Sequence, residues 1–216
     1  MQPQQTNNRP FIGGVVFDLD GTLVDSGLDF DQMRREMRLA DDVPLLEALA
    51  EMEPAEAQRC WQILKEHEQA GADRAVTMAG VESFLAALER WGIHRAVVTR
   101  NSREMAVAVL ERLAIRFELV WGREDGPVKP DPAAIAAICR TWQLPPERVA
   151  IIGDYRFDLE AGRAAGIHTV LYLAGREPAE ISYLDLADRT LASFAQPDEL
   201  LAWMLAPAEA LIRGKR

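Results

Sequence analysis

From residue 80 onward, short apolar runs alternate with longer segments whose apolar residues fall at helical spacing. The strands that this pattern predicts are 95–99, 117–121, 149–152, 169–173 and a short one at 190–192. The predicted helices are 80–91, 102–113, 131–142, 157–165 and 197–205. Strands that alternate with helices of this length form a parallel sheet with helices on both of its faces. We therefore expect an α/β fold built on such a sheet.

One more strand ends with the apolar run Val15-Val16-Phe17, near the start of the chain. In the stretch 25–78 that follows it, apolar residues recur only at helical spacing, and no strand is predicted. We expect this stretch to be a small all-α insertion that divides an α/β domain into 11–24 and 79–216. Residues 1–10 are rich in Gln and Asn and are expected to be a disordered tail.

The composition argues against several classes of partner. The 216-residue chain has a net charge of −10 and a pI near 4.9, whereas proteins that bind nucleic acid present basic surfaces. No apolar run is long enough to span a membrane, and the start of the chain lacks the apolar core of a signal peptide. Cys60 and Cys139 are far apart in sequence and predict no disulfide framework. We therefore expect a cytoplasmic protein without nucleic-acid or membrane partners.

Polar residues follow several of the predicted strands, at the points where those strands end. They are Asp18 and Asp20, then Thr99, Arg100 and Asn101, then Lys129, and finally Gly153, Asp154 and Asp158. Each has an ordinary structural explanation by itself, such as a turn at Asp20-Gly21 or a helix start at Asp154. Ligands of parallel α/β sheets bind beyond the carboxyl ends of the strands. The concentration of these residues at one sheet edge therefore favours a functional site.

The chemistry that fits this set is phosphoryl transfer to a carboxylate, which forms an acyl phosphate. Because an anion then attacks an anion, cations are needed, and Mg²⁺ and a lysine would provide them. On this hypothesis Mg²⁺, which prefers oxygen ligands, is held by Asp18, Asp154 and the backbone carbonyl of Asp20. The side chain of Asp20 is then free to protonate the leaving oxygen and later to activate water.

The remaining residues would serve the phosphoryl group. Thr99 would donate a hydrogen bond to a phosphoryl oxygen, together with N–H groups at the helix start after Asn101. Lys129 would offset negative charge on Asp18 and on the phosphoryl group. Asp158 would orient Lys129 or a metal-bound water.

These residues occur in four motifs that resemble those of the haloacid dehalogenase superfamily, in its phosphoglycolate phosphatase-like branch with a helical cap. The motifs are Asp18 to Thr22 (Asp-x-Asp-Gly-Thr), Thr99 at a strand end, Lys129-Pro130, and Gly153, Asp154 and Asp158 (Gly-Asp-x-x-x-Asp). The resemblance extends from about residue 15 to about residue 205. It implies a Rossmann-like core with a cap inserted after the first strand. It also implies a Mg²⁺-dependent hydrolase of small phosphorylated metabolites that works through an aspartyl phosphate.

The resemblance also assigns roles to residues of this chain. Asp18 would be the nucleophile, Asp20 the acid and base, Thr99 a phosphate ligand and Lys129 the charge-neutralising residue. The implied metal ligands are Asp18, the Asp20 carbonyl and Asp154, supported by Gly21, Thr22, Gly153 and Asp158. Arg100 and Asn101 either contact the substrate or cap the following helix.

Other functions remain open at this point. A phosphomutase of the same family is one alternative, although the cap stretch is shorter than is usual in the family. A non-catalytic regulatory protein that keeps the fold is another, although every catalytic position is intact. Dehalogenation fits less well, because Asp20 suits phosphate chemistry. Phosphonate hydrolysis fits less well for the same reason, and Lys65 is the only lysine of the cap that could serve it. The substrate is open, and the protein is expected to be a monomer or a homodimer.

No cap residue stands out as a substrate selector. Arg34, Arg35 and Arg38 are candidates for contact with an anionic substrate, but a solvated helix face explains them better. Tyr155 and Trp121 could border the site. The remaining tryptophans fall on apolar helix faces and are expected in the core, at positions 61, 91, 142 and 203.

Overall fold

The computed structural model describes residues 11–206, so the tail predicted at 1–10 lies outside the described residues. The strands are β1 (Gly14–Phe17), β2 (Val24–Asp25), β3 (Val76–Thr77), β4 (His94–Val98), β5 (Leu119–Trp121), β6 (Val149–Gly153), β7 (His168–Tyr172) and β8 (Arg189–Leu191). The helices are α1 (Phe30–Met37), α2 (Leu45–Glu51), α3 (Pro54–Arg74), α4 (Val81–Arg90), α5 (Arg103–Arg112), α6 (Ala133–Trp142), α7 (Arg156–Ala165) and α8 (Asp198–Leu205). Within 11–206, no helix is long and apolar enough to cross a membrane.

Six of the strands form a parallel sheet in the order β5-β4-β1-β6-β7-β8. Val15 and Phe17 of β1 pack on one face with residues of α4 and α5, whereas Val16 packs on the other face with α6. Because strand side chains alternate between faces, burial on both faces explains the unbroken apolar run of β1. The expected α/β fold, with a parallel sheet covered by helices on both faces, is confirmed.

The start of helix α5 lies directly after β4, at the C-terminal edge of the sheet. Ser102 is its N-cap, and the Ser102 Oγ accepts a hydrogen bond from the N–H of Met105 at 3.2 Å. The short segment between β4 and this cap consists of Thr99, Arg100 and Asn101. The local sequence therefore presents these three residues at the sheet edge.

Between β1 and α4 the chain forms helices α1, α2 and α3, which share a small core. Its buried residues are Met33, Met37, Leu45, Leu49, Cys60 and Leu64. The prediction of no strand in 25–78 is wrong at both ends, because β2 and β3 pair antiparallel there, with Val24 opposite Thr77. Strands of two residues have no periodicity to detect, and their pairing depends on the fold around them. The division into a core domain and a cap domain stays a prediction.

Two of the tryptophans differ from expectation. Trp142 and Trp203 are buried as predicted, whereas Trp61 and Trp91 are 38% and 46% exposed. The guanidinium of Arg123 packs against Trp61, 5.2 Å from the ring centroid. Trp91 is the C-cap of α4, where the chain turns toward β4. Helical spacing alone did not show which positions the rest of the fold would cover.

Candidate active site

A cavity of about 720 Å³ lies between the C-terminal edge of the sheet and the helical insertion. Its lining contains every residue predicted to act on a substrate or a metal, namely Asp18, Asp20, Thr99, Arg100, Asn101, Lys129 and Asp154, together with Asp158. These residues follow β1, β4, β5 and β6, which are neighbours in the sheet. The fold therefore brings four distant segments of the chain to one place.

Lys129 joins two of the carboxylates. Its Nζ donates hydrogen bonds to Oδ1 of Asp18 at 2.6 Å and to Oδ1 of Asp158 at 2.5 Å, and the lysine is buried. The N–H of Tyr155 donates to the other oxygen of Asp158 at 3.1 Å. Burial disfavours the charged lysine, but Asp158 and Asp18 outweigh it and raise the pKa of Lys129 above its ordinary value. A positive charge is therefore kept beside Asp18.

Asp154 lies close to the same group. Carboxylate oxygens of Asp18, Asp154 and Asp158 come within 4.8 Å of one another. Oδ1 of Asp154 accepts a hydrogen bond from Oγ1 of Thr22 at 3.3 Å. Burial, followed by repulsion from Asp158, raises the pKa of Asp154 to about 6. Burial also raises the pKa of Asp18 well above its ordinary value, although Lys129 opposes this.

Two glycines let these carboxylates approach the backbone. A Cβ at Gly153 would lie 2.2 Å from Cγ of Asp158, which is closer than real side chains allow. Gly21 has a φ of +82°, and a Cβ there would lie 2.8 Å from Oδ2 of Asp154. The predicted supporting residues Gly21, Thr22 and Gly153 therefore all lie against the acidic group.

The acidic group fits a divalent cation between Asp18 and Asp154. Both oxygens of Asp158 are already bound, by Lys129 and by the N–H of Tyr155, whereas Lys129 contacts only Oδ1 of Asp18. A cation at this point would offset the burial and repulsion that raise the pKa values of Asp18 and Asp154. Carboxylate oxygens are the ligands that Mg²⁺ prefers. The Asp20 carbonyl as a further ligand stays a prediction.

The side chain of Asp20 is held in different surroundings. Its Oδ1 accepts a hydrogen bond from Oγ of Ser26 at 2.5 Å, and its Oδ2 accepts one from Nδ2 of Asn101 at 3.0 Å. Burial raises the pKa of Asp20, although both hydrogen bonds oppose this. Asp18 thus accepts a hydrogen bond from the ammonium of Lys129, whereas Asp20 accepts hydrogen bonds from two neutral donors. Burial raises the pKa of both carboxyls, so the difference between them lies in their hydrogen-bond partners.

The segment after β4 is ordered by its own hydrogen bonds. Oγ1 of the buried Thr99 accepts a hydrogen bond from the N–H of Asn101 at 3.0 Å. Oδ1 of Asn101 accepts one from the N–H of Ser102 at 2.7 Å. Asn101 therefore supports both the start of α5 and the carboxylate of Asp20.

Two arginines of the α/β part bind carboxylates of the helical insertion. Arg100 donates to Oε2 of Glu47 on α2 at 2.6 Å and also to the carbonyl oxygen of Lys129. Arg123 forms an ion pair with both carboxylate oxygens of Glu68 on α3, one of them at 2.8 Å. Glu68 is buried and lines the cavity. Both pairs hold the insertion against the C-terminal edge of the sheet.

Several contributing residues were not found from the sequence. Ser26 binds Asp20, Glu68 pairs with Arg123, and Arg176 donates to the carbonyl oxygen of Asp154 at 2.6 Å. None of them belongs to a motif. A single serine or charged residue has no spacing that distinguishes it from a solvated one, so no sequence signal pointed to them.

The three arginines of α1 and its C-cap differ in their exposure to solvent. The solvated face predicted for them is confirmed at Arg35 and Arg38, which are exposed. It is wrong at Arg34, whose side chain is 16% exposed and lines the cavity. The packing of α1 against α2 and α3 turns Arg34 inward. Tyr155 lines the cavity as expected, whereas Trp121 is not among its lining residues.

Comparison with known proteins agrees with this site. A profile of haloacid dehalogenase-like hydrolases matches residues 30–172, which include Thr99, Lys129 and Asp154. The chain is 31% identical over 179 residues to a haloacid dehalogenase-like hydrolase domain-containing protein from Arabidopsis thaliana, covering 77% of this chain and 73% of the relative. It is 28% identical over 221 residues to a phosphoglycolate phosphatase from Chromobacterium violaceum, covering 90% of this chain and 98% of the relative.

A solved structure shows the same fold. A haloacid dehalogenase-like hydrolase from Streptococcus pneumoniae superposes with a TM-score of 0.70 at 25% identity, covering 89% of this chain and 98% of that one. The resemblance predicted from the four motifs is thus confirmed. The chain belongs to the haloacid dehalogenase-like hydrolases and is similar to the phosphoglycolate phosphatases among them.

Proposed function

We propose that the enzyme is a Mg²⁺-dependent phosphatase that hydrolyses a small phosphorylated metabolite through a phosphorylated Asp18. The observation that carries this proposal is the different environment of the two aspartates of the first motif. Asp18 lies 2.6 Å from the buried ammonium of Lys129, whereas Asp20 lies between two neutral donors, Ser26 and Asn101. These surroundings support a nucleophile in the first case and a proton donor in the second.

In the first half of the reaction, an oxygen of Asp18 attacks phosphorus, and the bond from phosphorus to the leaving alcohol breaks. Asp20 gives its proton to the oxygen of that alcohol. In the second half, water attacks the same phosphorus, Asp20 takes up a proton from it, and the bond to Asp18 breaks. The products are the alcohol and inorganic phosphate, and both aspartates return to their starting states.

The phosphoryl group would be bound by residues that already line the cavity. Lys129 offsets its negative charge, and Oγ1 of Thr99 donates a hydrogen bond to it. The backbone N–H groups at the start of α5 are available for the same purpose. Mg²⁺, when bound by Asp18 and Asp154, supplies further neutralisation of the phosphoryl charge.

The first half-reaction is shared by phosphatases and phosphomutases, which differ in the acceptor of the second half. No contact in the described part of the chain favours a substrate hydroxyl over water as that acceptor, so transfer to an isomeric position is treated as an outcome of the test. The cytoplasmic location and the choice between monomer and homodimer stay predictions.

The test is hydrolysis of 4-nitrophenyl phosphate by the wild-type protein and by Asp18→Asn. We expect activity with Mg²⁺ and none with a chelator, and a loss in Asp18→Asn on the order of 10³-fold or more. Rapid acid quenching with excess substrate should leave a phosphoryl group on the peptide that contains Asp18. Asp41→Asn is the matched control, because Asp41 is exposed and absent from the cavity lining. Equal rates in wild type and Asp18→Asn would overturn the proposal.

A further inference from the structure

The wall of the cavity that the helical insertion contributes is largely apolar. It is formed by Leu28, Phe30, Met33, Leu45, Leu46 and Leu64. In the proposed reaction the phosphoryl group occupies the acidic end of the cavity, so the leaving alcohol lies along this wall. A cavity of about 720 Å³ falls in the range of roughly 300–1,000 Å³ that encloses drug-sized ligands. A two-carbon leaving group would leave most of the wall uncovered.

Arg34, one of two arginines in the lining, is bound within the insertion. Its Nη1 lies 2.7 Å from Oδ1 of Asp31, and its Nε donates to the carbonyl oxygen of Val43 at 3.0 Å. The second contact joins α1 to the segment that leads into α2. The guanidinium is therefore engaged in holding the insertion together.

Arg100, the other arginine of the lining, is also engaged. Besides its bonds to Glu47 and to the carbonyl oxygen of Lys129, its guanidinium lies 4.5 Å from the ring centroid of Phe157. Its side chain is only 19% exposed. An anionic group of a substrate would compete with Glu47 for Arg100.

On the side of the cavity that would hold the leaving alcohol, carboxylates outnumber cationic side chains. Outside the catalytic group, the lining contains Asp29, Asp31, Asp42 and Glu68 against Arg34 and Arg100. The negative charge of Glu68 is paired with Arg123, which is not a lining residue. Glu68 is buried, whereas Asp29, Asp31 and Asp42 are exposed. A carboxylate on the leaving group would therefore meet a surplus of negative charge on this side of the cavity.

We infer that the substrate is a phosphate monoester of an uncharged alcohol larger than two carbons, and that Glu47 makes the site reject anionic leaving groups by occupying Arg100. The inference rests on the proposed phosphatase reaction and deepens it. The apolar wall provides binding area for the carbon skeleton, and the surplus of carboxylates disfavours an acid at that position.

The test compares phosphoglycolate with 2-hydroxyethyl phosphate, a matched pair in which only the carboxylate is replaced by a hydroxymethyl group. We expect kcat/KM for 2-hydroxyethyl phosphate to exceed that for phosphoglycolate by about tenfold. Glucose 6-phosphate, whose leaving group is larger and uncharged, should have a higher kcat/KM than either. A higher kcat/KM for phosphoglycolate than for both uncharged esters would overturn the inference.

The variant Glu47→Gln tests the role of Arg100. Loss of the Glu47 charge frees Arg100 and should raise kcat/KM for phosphoglycolate, relative to 2-hydroxyethyl phosphate, by roughly fivefold. Glu51→Gln is the control, because Glu51 is exposed on the same helix and does not line the cavity. An unchanged ratio in Glu47→Gln would overturn the role given to Glu47.

Hydrolysis of 4-nitrophenyl phosphate in the same preparations separates the two proposals. A wild-type protein that hydrolyses this ester but prefers phosphoglycolate overturns the substrate class alone. A folded wild-type protein that hydrolyses none of the four esters overturns the phosphatase reaction, and the substrate class with it.

Discussion

Nζ of Lys129 lies 2.5 Å from Oδ1 of Asp158, and both side chains are buried. The lysine follows β5 and the aspartate lies in the first turn of α7, so this contact joins two segments at the C-terminal edge of the sheet. The same Nζ is 2.6 Å from Asp18. Asp158 therefore acts on Asp18 through the lysine that it positions.

Asp158→Asn should weaken this arrangement. Removal of one partner of a buried ion pair is expected to cost about 3 kcal/mol in the free energy of unfolding, and the misplaced lysine should lower kcat on the order of 10²-fold. Urea denaturation and steady-state kinetics measure the two effects. Glu160→Gln is the control, because Glu160 lies on the same helix and pairs with Arg156 near the surface. Wild-type kcat in Asp158→Asn would contradict the positioning role.

Asp20→Asn should separate metal binding from turnover. Its side chain contacts Ser26 and Asn101 and is absent from the acidic group of Asp18, Asp154 and Asp158. We expect kcat to fall by about 10²–10⁴-fold, as for the loss of a general acid and base, while Mg²⁺ affinity measured by calorimetry stays close to the wild-type value. A large loss of Mg²⁺ binding in this variant would argue against the role of its side chain as proton donor.

The metal-free protein should have a pH dependence that comes from Asp154. Burial and Asp158 raise the pKa of its carboxyl from 3.8 in the unfolded chain to about 6. Between these values the native state binds more protons than the unfolded state, so the contribution of Asp154 to stability is fully present below pH 3.8 and is lost as the pH rises through about 6. The loss is on the order of 3 kcal/mol at neutral pH.

Asp154→Asn should remove this loss. Urea denaturation in the presence of a chelator, at pH 4.5 and at pH 7, measures the free energy of unfolding of both proteins. We expect the free energy of unfolding of the variant, relative to that of the wild type, to be higher at pH 7 than at pH 4.5, because an amide does not titrate. A difference between the two proteins that is independent of pH would show that Asp154 has an ordinary pKa in the folded state.

Arg123→Ala should destabilise the protein by leaving Glu68 buried without its partner. The expected loss is about 3–5 kcal/mol in the free energy of unfolding. The double variant Arg123→Leu with Glu68→Leu should recover most of it, because neither charge then remains buried. Arg103→Ala is the control, since Arg103 is 58% exposed and pairs with Asp125 only at 3.7 Å. Equal losses in Arg123→Ala and Arg103→Ala would contradict the importance of the Arg123–Glu68 pair.

The fold was predictable where its signal is periodic. Apolar runs and helical spacing are set by burial, so the strands and helices from residue 80 onward could be predicted, and the parallel sheet with helices on both faces followed from their alternation. The pair β2 and β3 could not be predicted, because two-residue strands have no period. The exposure of Trp61 also depended on a partner, Arg123, that is distant in sequence.

The site was predictable where its residues stand next to strand ends. Asp18, Asp20, Thr99, Lys129 and Asp154 could be found because ends of neighbouring parallel strands meet at one edge and because their motifs resemble those of a known family. Ser26, Glu68, Arg123 and Arg176 could not be found in this way. These residues contribute through contacts between segments that are distant in the sequence, and no spacing in the sequence predicts such contacts.

The residues available for chemistry, and their placement at one edge of a parallel sheet, follow from chain order and from the positions of the strand ends. The different surroundings of the two aspartates of the first motif depend on the tertiary fold. Lys129 reaches Asp18, whereas Ser26 and Asn101 reach Asp20. Each of these contacts depends on distances of a few ångströms between segments that the sequence does not place, and at that range burial and charge set the proton affinity of a carboxylate.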